Sequence, residues 1–211
     1  PLRLPTPVPD AVLAVGPHLK NTFTLAQGAD AFVSQHVGDL ETLETREHFD
    51  DARLRFQTLF HIDPRWVVRD LHPGYMSTTI AEESGLEELP PVQHHHAHVA
   101  AVLGEHGRSD RVVGLAFDGT GYGTDGRVWG CEILAADAVG FERLAHLRYA
   151  PLPGGDRAAR SPWRALLGYA SLDGDPGWID AALADVDPAE ARTAMRQIEQ
   201  SLNAPLASSL G

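Results

Sequence analysis

The sequence predicts an α/β chain built as two lobes, the second of them incomplete. Three observations carry this expectation. Apolar strand-like runs and helical periodicities alternate along the chain. The two halves open alike, each with an apolar strand, a polar turn with Gly nearby, a second strand and then a third. The length, 211 residues, suffices for one large domain or two small lobes. The repeat is one of element order, with no fixed sequence period. Lobes that each begin with a hairpin and a third strand, with helices following, suggest an actin-like (ribonuclease H-like) duplicated fold. In that architecture nucleotide phosphates lie between the two opening hairpins. The expected division places the first lobe at residues 1–110 and the start of the second at residues 111–211.

Each element has its own signal. Residues 11–16 form a short apolar run, 17–20 a turn, and 21–27 a second run rich in Thr and Phe. Gly28-Ala29-Asp30 is read as a turn into a third run over 31–37, where apolar and polar residues partly alternate. Residues 39–60 read as helix, because Leu40, Leu43, Phe49, Leu54 and Phe56 recur at roughly helical spacing. A strand at 66–71 ends in His72-Pro73-Gly74, and a short helix follows at 75–84. Residues 91–93 form a short strand that runs into His94, and 95–106 form a helix. The strand at 112–117 ends in Asp118-Gly119-Thr120-Gly121-Tyr122-Gly123, read as a Gly-rich turn. Strands at 128–134 and 143–149 come next, the first after a turn at Asp125-Gly126. The remainder is mostly helical, at 163–172, at 179–184 after the turn Asp173-Gly174-Asp175-Pro176, and from Asp187. There Asp187 is the N-cap, Pro188 takes the first helical position, and Glu190 stands at the capping-box position.

Composition narrows the function. An apolar fraction of 43% and a charged fraction of 22% are those of a soluble globular protein. With 17 basic residues scattered among 29 acidic ones, no basic patch marks a nucleic-acid binder, so a small molecule or a protein is the expected partner. The single cysteine, Cys131, excludes an intramolecular disulfide and a zinc ribbon within the chain. No signal peptide or membrane-length apolar run is visible, so the cytoplasm is the expected compartment, with no membrane partner. Both ends read as cut, the first opening like a linker at Pro1-Leu2-Arg3-Leu4-Pro5, the last stopping at Ala207-Ser208-Ser209-Leu210-Gly211 with no closing element.

The densest chemical signal is Gln93-His94-His95-His96-Ala97-His98. Histidines four apart at a helix start share one face, so His94 and His98 can reach one metal ion. The helix N-terminus also favours an anionic phosphate. His95 and His96 fall on other faces and suit supporting roles. The competing reading is a bland surface tract, although the cluster is internal and sits between a strand and an apolar helix. Asp118-Gly119-Thr120-Gly121 is the second signal. Asp118 can hold a metal, Gly119 and Gly121 let main-chain N–H groups approach phosphate oxygens, and Thr120 adds a hydroxyl donor. An ordinary Gly-rich turn is the alternative. In the first turn, Lys20 and Asn21 are placed to touch a phosphate or a carbamoyl group, or simply to form a solvated turn. Asp70, at a strand end, is either a core-edge carboxylate or a site residue. Pro151-Leu152-Pro153-Gly154-Gly155-Asp156 is a rigid loop suited to close backbone approach. Cys131 lies in a strand expected to be buried and is read as inert rather than nucleophilic.

These residues also carry a family resemblance. Val92-Gln93-His94-His95-His96-Ala97-His98, then Ala116-Phe117-Asp118-Gly119-Thr120-Gly121-Tyr122-Gly123 and Trp129-Gly130-Cys131-Glu132, resemble the C-terminal domain of the hydrogenase maturation carbamoyltransferases, the HypF family. Leu19-Lys20-Asn21-Thr22-Phe23, Ser34-Gln35-His36-Val37-Gly38-Asp39-Leu40, Asp70-Leu71-His72-Pro73-Gly74-Tyr75 and the Pro151–Asp156 loop do so too, so the likeness spans nearly the whole chain. The related tRNA threonylcarbamoyl-transfer enzymes share the histidine pair but not the other strings.

The resemblance implies an ATP-binding, actin-like carbamoyltransferase. Carbamoyl phosphate and ATP give carbamoyl-adenylate, and this domain passes the carbamoyl group to the C-terminal cysteine of HypE, on the way to the cyanide ligand of NiFe hydrogenase. It implies catalytic and metal-binding roles for His94, His98 and Asp118, with zinc or iron as the metal and magnesium as a further candidate. It implies nucleotide or phosphate contacts at Lys20, Asn21, Gly119, Thr120 and Gly121. The acylphosphatase, zinc-finger and adenylate-forming parts of the family lie outside these residues, so the chain is expected to be inactive alone. The alternatives are a carbamoyltransferase acting on a small molecule or a tRNA, and a non-catalytic metal- or nucleotide-binding module.

Overall fold

The computed structural model describes residues 1–173 and 176–209. The architecture is α/β and actin-like, with two sheets in two compact units. One unit comprises Pro1–Arg111 with Asp137–Gly140; the other comprises Val112–Ala136 and the residues from Phe141 onwards. Among the described residues no helix is long and apolar enough to cross a membrane.

In the first unit β1 (Leu2–Ala14) and β2 (Thr24–Val33) pair antiparallel, and β3 (Trp66–Val68) and β4 (Glu87–Glu88) extend the sheet in parallel, giving the order β2-β1-β3-β4. The end of β1 shows why it is a strand. Ala11, Leu13 and Val15 are buried, while Val12 and Ala14 between them are only half-buried, the two-residue period of a strand with one inner face. Three helices complete the unit: α1 (Leu43–Phe60), α2 (Met76–Glu83) and α3 (His94–Glu105). The Thr42 hydroxyl accepts the N–H of Thr45 and so caps α1. The core joins Leu13, Val15, Phe23 and Leu25 to Phe49 and Ala52 of α1. Phe23 meets Phe49 and Phe56 edge-on, each with centroids 5.2 Å apart, and Phe32 stacks on Phe60.

Two expectations need correction here. Gly28-Ala29-Asp30 is not a turn. Gly28, with φ of 58°, sits opposite Val8 inside the β1–β2 ladder, where the register shifts on both sides. It is a bulge position, and the runs on either side of it form one strand. The first unit therefore opens with two antiparallel strands, and its third strand comes only after α1. The strand expected at 66–71 stops at Val68; beyond it, Asp70 pairs with Val92 in a single parallel bridge.

In the second unit β5 (Val112–Tyr122), β6 (Val128–Ala136) and β7 (Phe141–His146) form an antiparallel sheet. β8 (Ala150–Pro151) pairs with β9 (Leu206–Ala207), which lies parallel to the start of β6 at Val128. A 3-10 helix over Gly155–Arg160 leads to α4 (Trp163–Asp173), α5 (Pro176–Leu183) and α6 (Pro188–Glu199). Asp187 caps α6 by accepting the N–H groups of Ala189 and Glu190, with Pro188 at the first turn. Leu167, Ala182 and Ala194 meet where the three helices pack. α4 lies tight on β8, since a Cβ at Gly168 would stand 2.0 Å from the Pro151 carbonyl oxygen. Of the expected turn Asp173-Gly174-Asp175-Pro176, Gly174 and Asp175 lie outside the described residues, as do Leu210, Gly211 and the Asp156 side chain.

The Gly-rich stretch after Phe117 also differs from expectation. β5 runs through it to Tyr122. Phe117 pairs with Cys131 and Gly121 with Trp129, so three residues, Asp118, Gly119 and Thr120, oppose the single Gly130. The stretch is a bulge within a strand rather than a hairpin turn. Glycine-rich composition signals both, which is why composition alone did not separate them.

Candidate metal centre

The histidine helix is placed by a short parallel contact and a cap. Val92 donates its N–H to the Arg69 carbonyl and accepts the N–H of Leu71, bringing the end of the Trp66–Val68 strand beside the start of α3. Gln93 is the N-cap, its Oε1 accepting the N–H of His96 at 2.9 Å. Its amide nitrogen lies 3.2 Å from Nδ1 of His95, which has no solvent exposure. His96 directs Nε2 to the Asp137 carbonyl at 2.7 Å. These two histidines are thus structural members of the first unit.

His94 and His98 stand on another face of the helix. Their ring centroids are 4.8 Å apart and their planes are steeply inclined, at 81°. Both line a cavity of about 380 Å³ whose walls include Ala14, Gly16, Pro17, Val68, Val92 and Ala101. Asp70 lines it as well. Its Oδ2 lies 2.7 Å from Nδ1 of His94, and its Oδ1 accepts the N–H of His72 at 2.8 Å. Two imidazoles one helical turn apart, one of them anchored by a carboxylate, are a donor set that suits zinc or ferrous iron. The residues present therefore fit the metal implied by the resemblance. Asp70 is the residue that spacing alone left ambiguous. An aspartate closing a strand has many uses, and only the bridge to Val92 turns it toward the histidine helix.

The first turn forms one wall of this cavity. Gly16, with φ of 71°, comes so close to the end of the turn that a Cβ there would stand 2.0 Å from the Thr22 carbonyl oxygen. Asn21 is completely buried behind that wall and donates from Nδ2 to the carbonyls of Val15 and Pro17 at 2.8 and 2.6 Å. Both amide hydrogens are thereby engaged, leaving Oδ1 as a buried acceptor with no protein partner among the described residues. Lys20 is exposed in the left-handed region, with φ of 49°, and its N–H is held by Asp39.

In the second unit Asp118 opens the bulge and is half-buried, its Oδ1 accepting the N–H of Gly119 at 2.7 Å. Gly121 is buried and Thr120 exposed. The bulge packs on Gly130, where a Cβ would stand 2.9 Å from the Asp118 carbonyl oxygen and 2.5 Å from Cα of Ser209. The first unit thus brings together His94, His98 and Asp70, with Lys20 and Asn21 in the adjoining turn. Asp118, Gly119, Thr120 and Gly121 are grouped in the second.

Comparison with known proteins extends these observations. Residues 8–105 match the HypF Kae1-like domain, and residues 114–211 match the second subdomain of the carbamoyltransferase Kae1-like domain. Carbamoyltransferase HypF2 of Cupriavidus necator is 46% identical over 95% of this chain, which corresponds to 25% of that protein. Carbamoyltransferase HypF of Synechocystis is 37% identical over the whole chain, corresponding to 30% of that protein. The chain therefore spans between a quarter and a third of the length of these relatives. Among solved structures, full-length HypF in a phosphate- and nucleotide-bound form superposes with a TM-score of 0.91 at 41% identity, covering all of this chain and 28% of that one. HypF of T. kodakarensis superposes with a TM-score of 0.86 at 35% identity, covering 99% of this chain and 29% of that one.

Proposed function

The chain belongs to the HypF carbamoyltransferase family, as its Kae1-like part, and on that premise we propose that it transfers the carbamoyl group of carbamoyl-adenylate to the C-terminal cysteine of a HypE-like acceptor protein. The observation that carries this reading is the pair His94 and His98 lining one cavity with Asp70 behind them. In the reaction a thiolate sulfur of the acceptor attacks the carbamoyl carbon. The new S–C bond replaces the bond from that carbon to the phosphate oxygen, and AMP departs with the electron pair. The nucleophile is on the acceptor, which agrees with the burial of Cys131 in β6.

A divalent ion, zinc or iron, would be held by His94 and His98 with Asp118 as third ligand, and would supply positive charge for the phosphate of the departing AMP. The chain's own residues bind and orient the substrate. The main-chain N–H of Gly121, the hydroxyl of Thr120 and the ammonium of Lys20 are suited to phosphate oxygens, as is the N–H of Gly119 on release from Asp118, with magnesium as a further candidate ion. Asn21 suits the other end of the substrate. With both its amide hydrogens engaged, it offers Oδ1, an acceptor that matches the NH2 of a carbamoyl group rather than a phosphate oxygen.

The test is carbamoyl transfer from carbamoyl-adenylate to a HypE-like protein, followed by intact-protein mass spectrometry. It is run with this chain and with the same chain extended to the length of its relatives. Transfer by the extended protein, lost in His94→Ala with His98→Ala, is expected; the 211-residue chain alone is expected to be inactive. An extended protein that binds nucleotide yet leaves the acceptor thiol unmodified overturns the reading in favour of a non-catalytic nucleotide-binding module.

A further inference from the structure

We propose that Asp70 is a positioning residue of the metal centre, fixing His94 in the one tautomer and ring orientation that offers Nε2 to a divalent ion. The inference rests on the metal reading given above and adds a residue to it. The contact is short, 2.7 Å from Oδ2 to Nδ1, and Asp70 is secluded, with its side chain 7% exposed against 16% for His94. A carboxylate oxygen can only accept, so the shared proton sits on Nδ1. A neutral imidazole protonated at Nδ1 carries its lone pair on Nε2, the nitrogen that then serves as ligand.

Asp70 is itself held rigidly. Its second oxygen accepts the N–H of His72, which fixes the carboxylate plane, and its backbone pairs with Val92, two residues before His94. Strand end, carboxylate and helix start are therefore tied together next to the His94 ring. The Thr78 hydroxyl adds a bond to the His72 carbonyl at 2.7 Å, tying the turn that carries Asp70 to the Met76–Glu83 helix. A charge placed on a core edge for stability alone would have no need of a cavity-facing partner, whereas Asp70 holds His94, and both line the same cavity as His98. The Asp70 contact is to His94, so loss of Asp70 acts on that ring directly. An outer carboxylate on a metal-bound histidine commonly changes metal affinity by about 10–100-fold.

Two measurements test this on the 211-residue chain. The first needs no metal: long-range 1H–15N correlation spectra at a pH where the imidazoles are neutral report the tautomer of each histidine. His94 is expected in the Nδ1–H form, and Asp70→Ala is expected to release it to a mixture. The second is competitive zinc titration against a chelator, with the cobalt-substituted absorption spectrum as a record of ligand geometry. Asp70→Ala is expected to weaken zinc binding by about 10–100-fold with unchanged stoichiometry and an altered cobalt spectrum. Asp70→Asn, closest in shape, keeps the test open if the alanine variant does not fold, and Asp70→Glu is expected to restore part of the affinity. An Nε2–H tautomer at His94 in the unaltered chain, or unchanged zinc affinity in a folded Asp70 variant, overturns the role of Asp70. An Nδ1–H tautomer in a chain that takes up no zinc instead overturns the metal reading itself.

Discussion

Nε of Arg143 lies 2.6 Å from Oε2 of Glu132, a carboxylate with no exposure to solvent. The pair ties β7 to β6. The other oxygen of Glu132 accepts the Ser208 hydroxyl at 2.5 Å, and the Arg143 guanidinium lies over the Trp129 ring at 3.9 Å and donates to the Tyr149 hydroxyl. Removing one member leaves the other charge buried and uncompensated. Arg143→Met is expected to lower the unfolding free energy by about 3–5 kcal/mol, read from urea unfolding curves, with a smaller loss when Glu132→Leu is added. A single substitution without effect on the midpoint would mean that water or a neighbouring group replaces the guanidinium.

The same network sets an acid limit. Burial pushes the Asp125 carboxyl up, but hydrogen bonds from the Tyr149 hydroxyl, the Arg127 N–H and the Trp129 indole, with the Arg143 charge, outweigh it and hold the group below the usual carboxylate range. Because the folded carboxyl is the more acidic, its contribution is complete above the unfolded value of about 3.9 and is lost as pH falls through the folded one. Asp125→Asn should flatten the acid limb of a stability–pH profile and leave the slope above pH 6 unaltered. An identical acid limb in the variant would assign that limb to other carboxylates.

For the metal centre, His94→Ala with His98→Ala should abolish stoichiometric zinc or iron uptake, measured by elemental analysis after gel filtration. His95→Ala should keep the stoichiometry and lose thermal stability, because its ring is buried against Gln93 rather than turned to the cavity. Metal retained by the double variant would remove both residues from the ligand set.

Along β5 the side chains of Val113, Leu115 and Phe117, alternate residues on one face, are 65%, 62% and 70% exposed. β5 also ends the strand order of its sheet. An apolar strip on a sheet margin favours association. Light scattering of the chain is expected to show concentration-dependent self-association, reduced by Val113→Lys with Leu115→Glu. A monomer at every concentration would show that the strip is too small to hold two copies together.

The sequence was most informative where a periodicity or a cap leaves little choice. The Asp187-Pro188 start of the last helix and the i, i+4 placement of His94 and His98 were both legible there. It was least informative at glycine. Gly28 and the Gly119–Gly121 stretch carry a turn signal, and both are bulges, because a residue without Cβ marks an irregular backbone without saying whether the chain reverses. Asp70 remained ambiguous for a different reason. Its role depends on a pairing with Val92 across intervening secondary structure, and no local pattern encodes that partner. The two-residue β9 is too short for any periodicity to reveal it.

That short strand bears on how the protein is made. Glu132 and the Ser208 hydroxyl that completes its bonding are 76 residues apart in sequence. As the ribosome releases the chain from its N-terminus, β1 to α3 emerge as a nearly continuous stretch whose sheet needs nothing beyond Glu88. The β8–β9 margin of the second unit's sheet must wait until Leu206–Ala207 has cleared the exit tunnel, with Glu132 and Arg143 already synthesised. Contacts of such long sequence separation form slowly, so this margin of the sheet is the part left open to chaperones and proteases longest during synthesis.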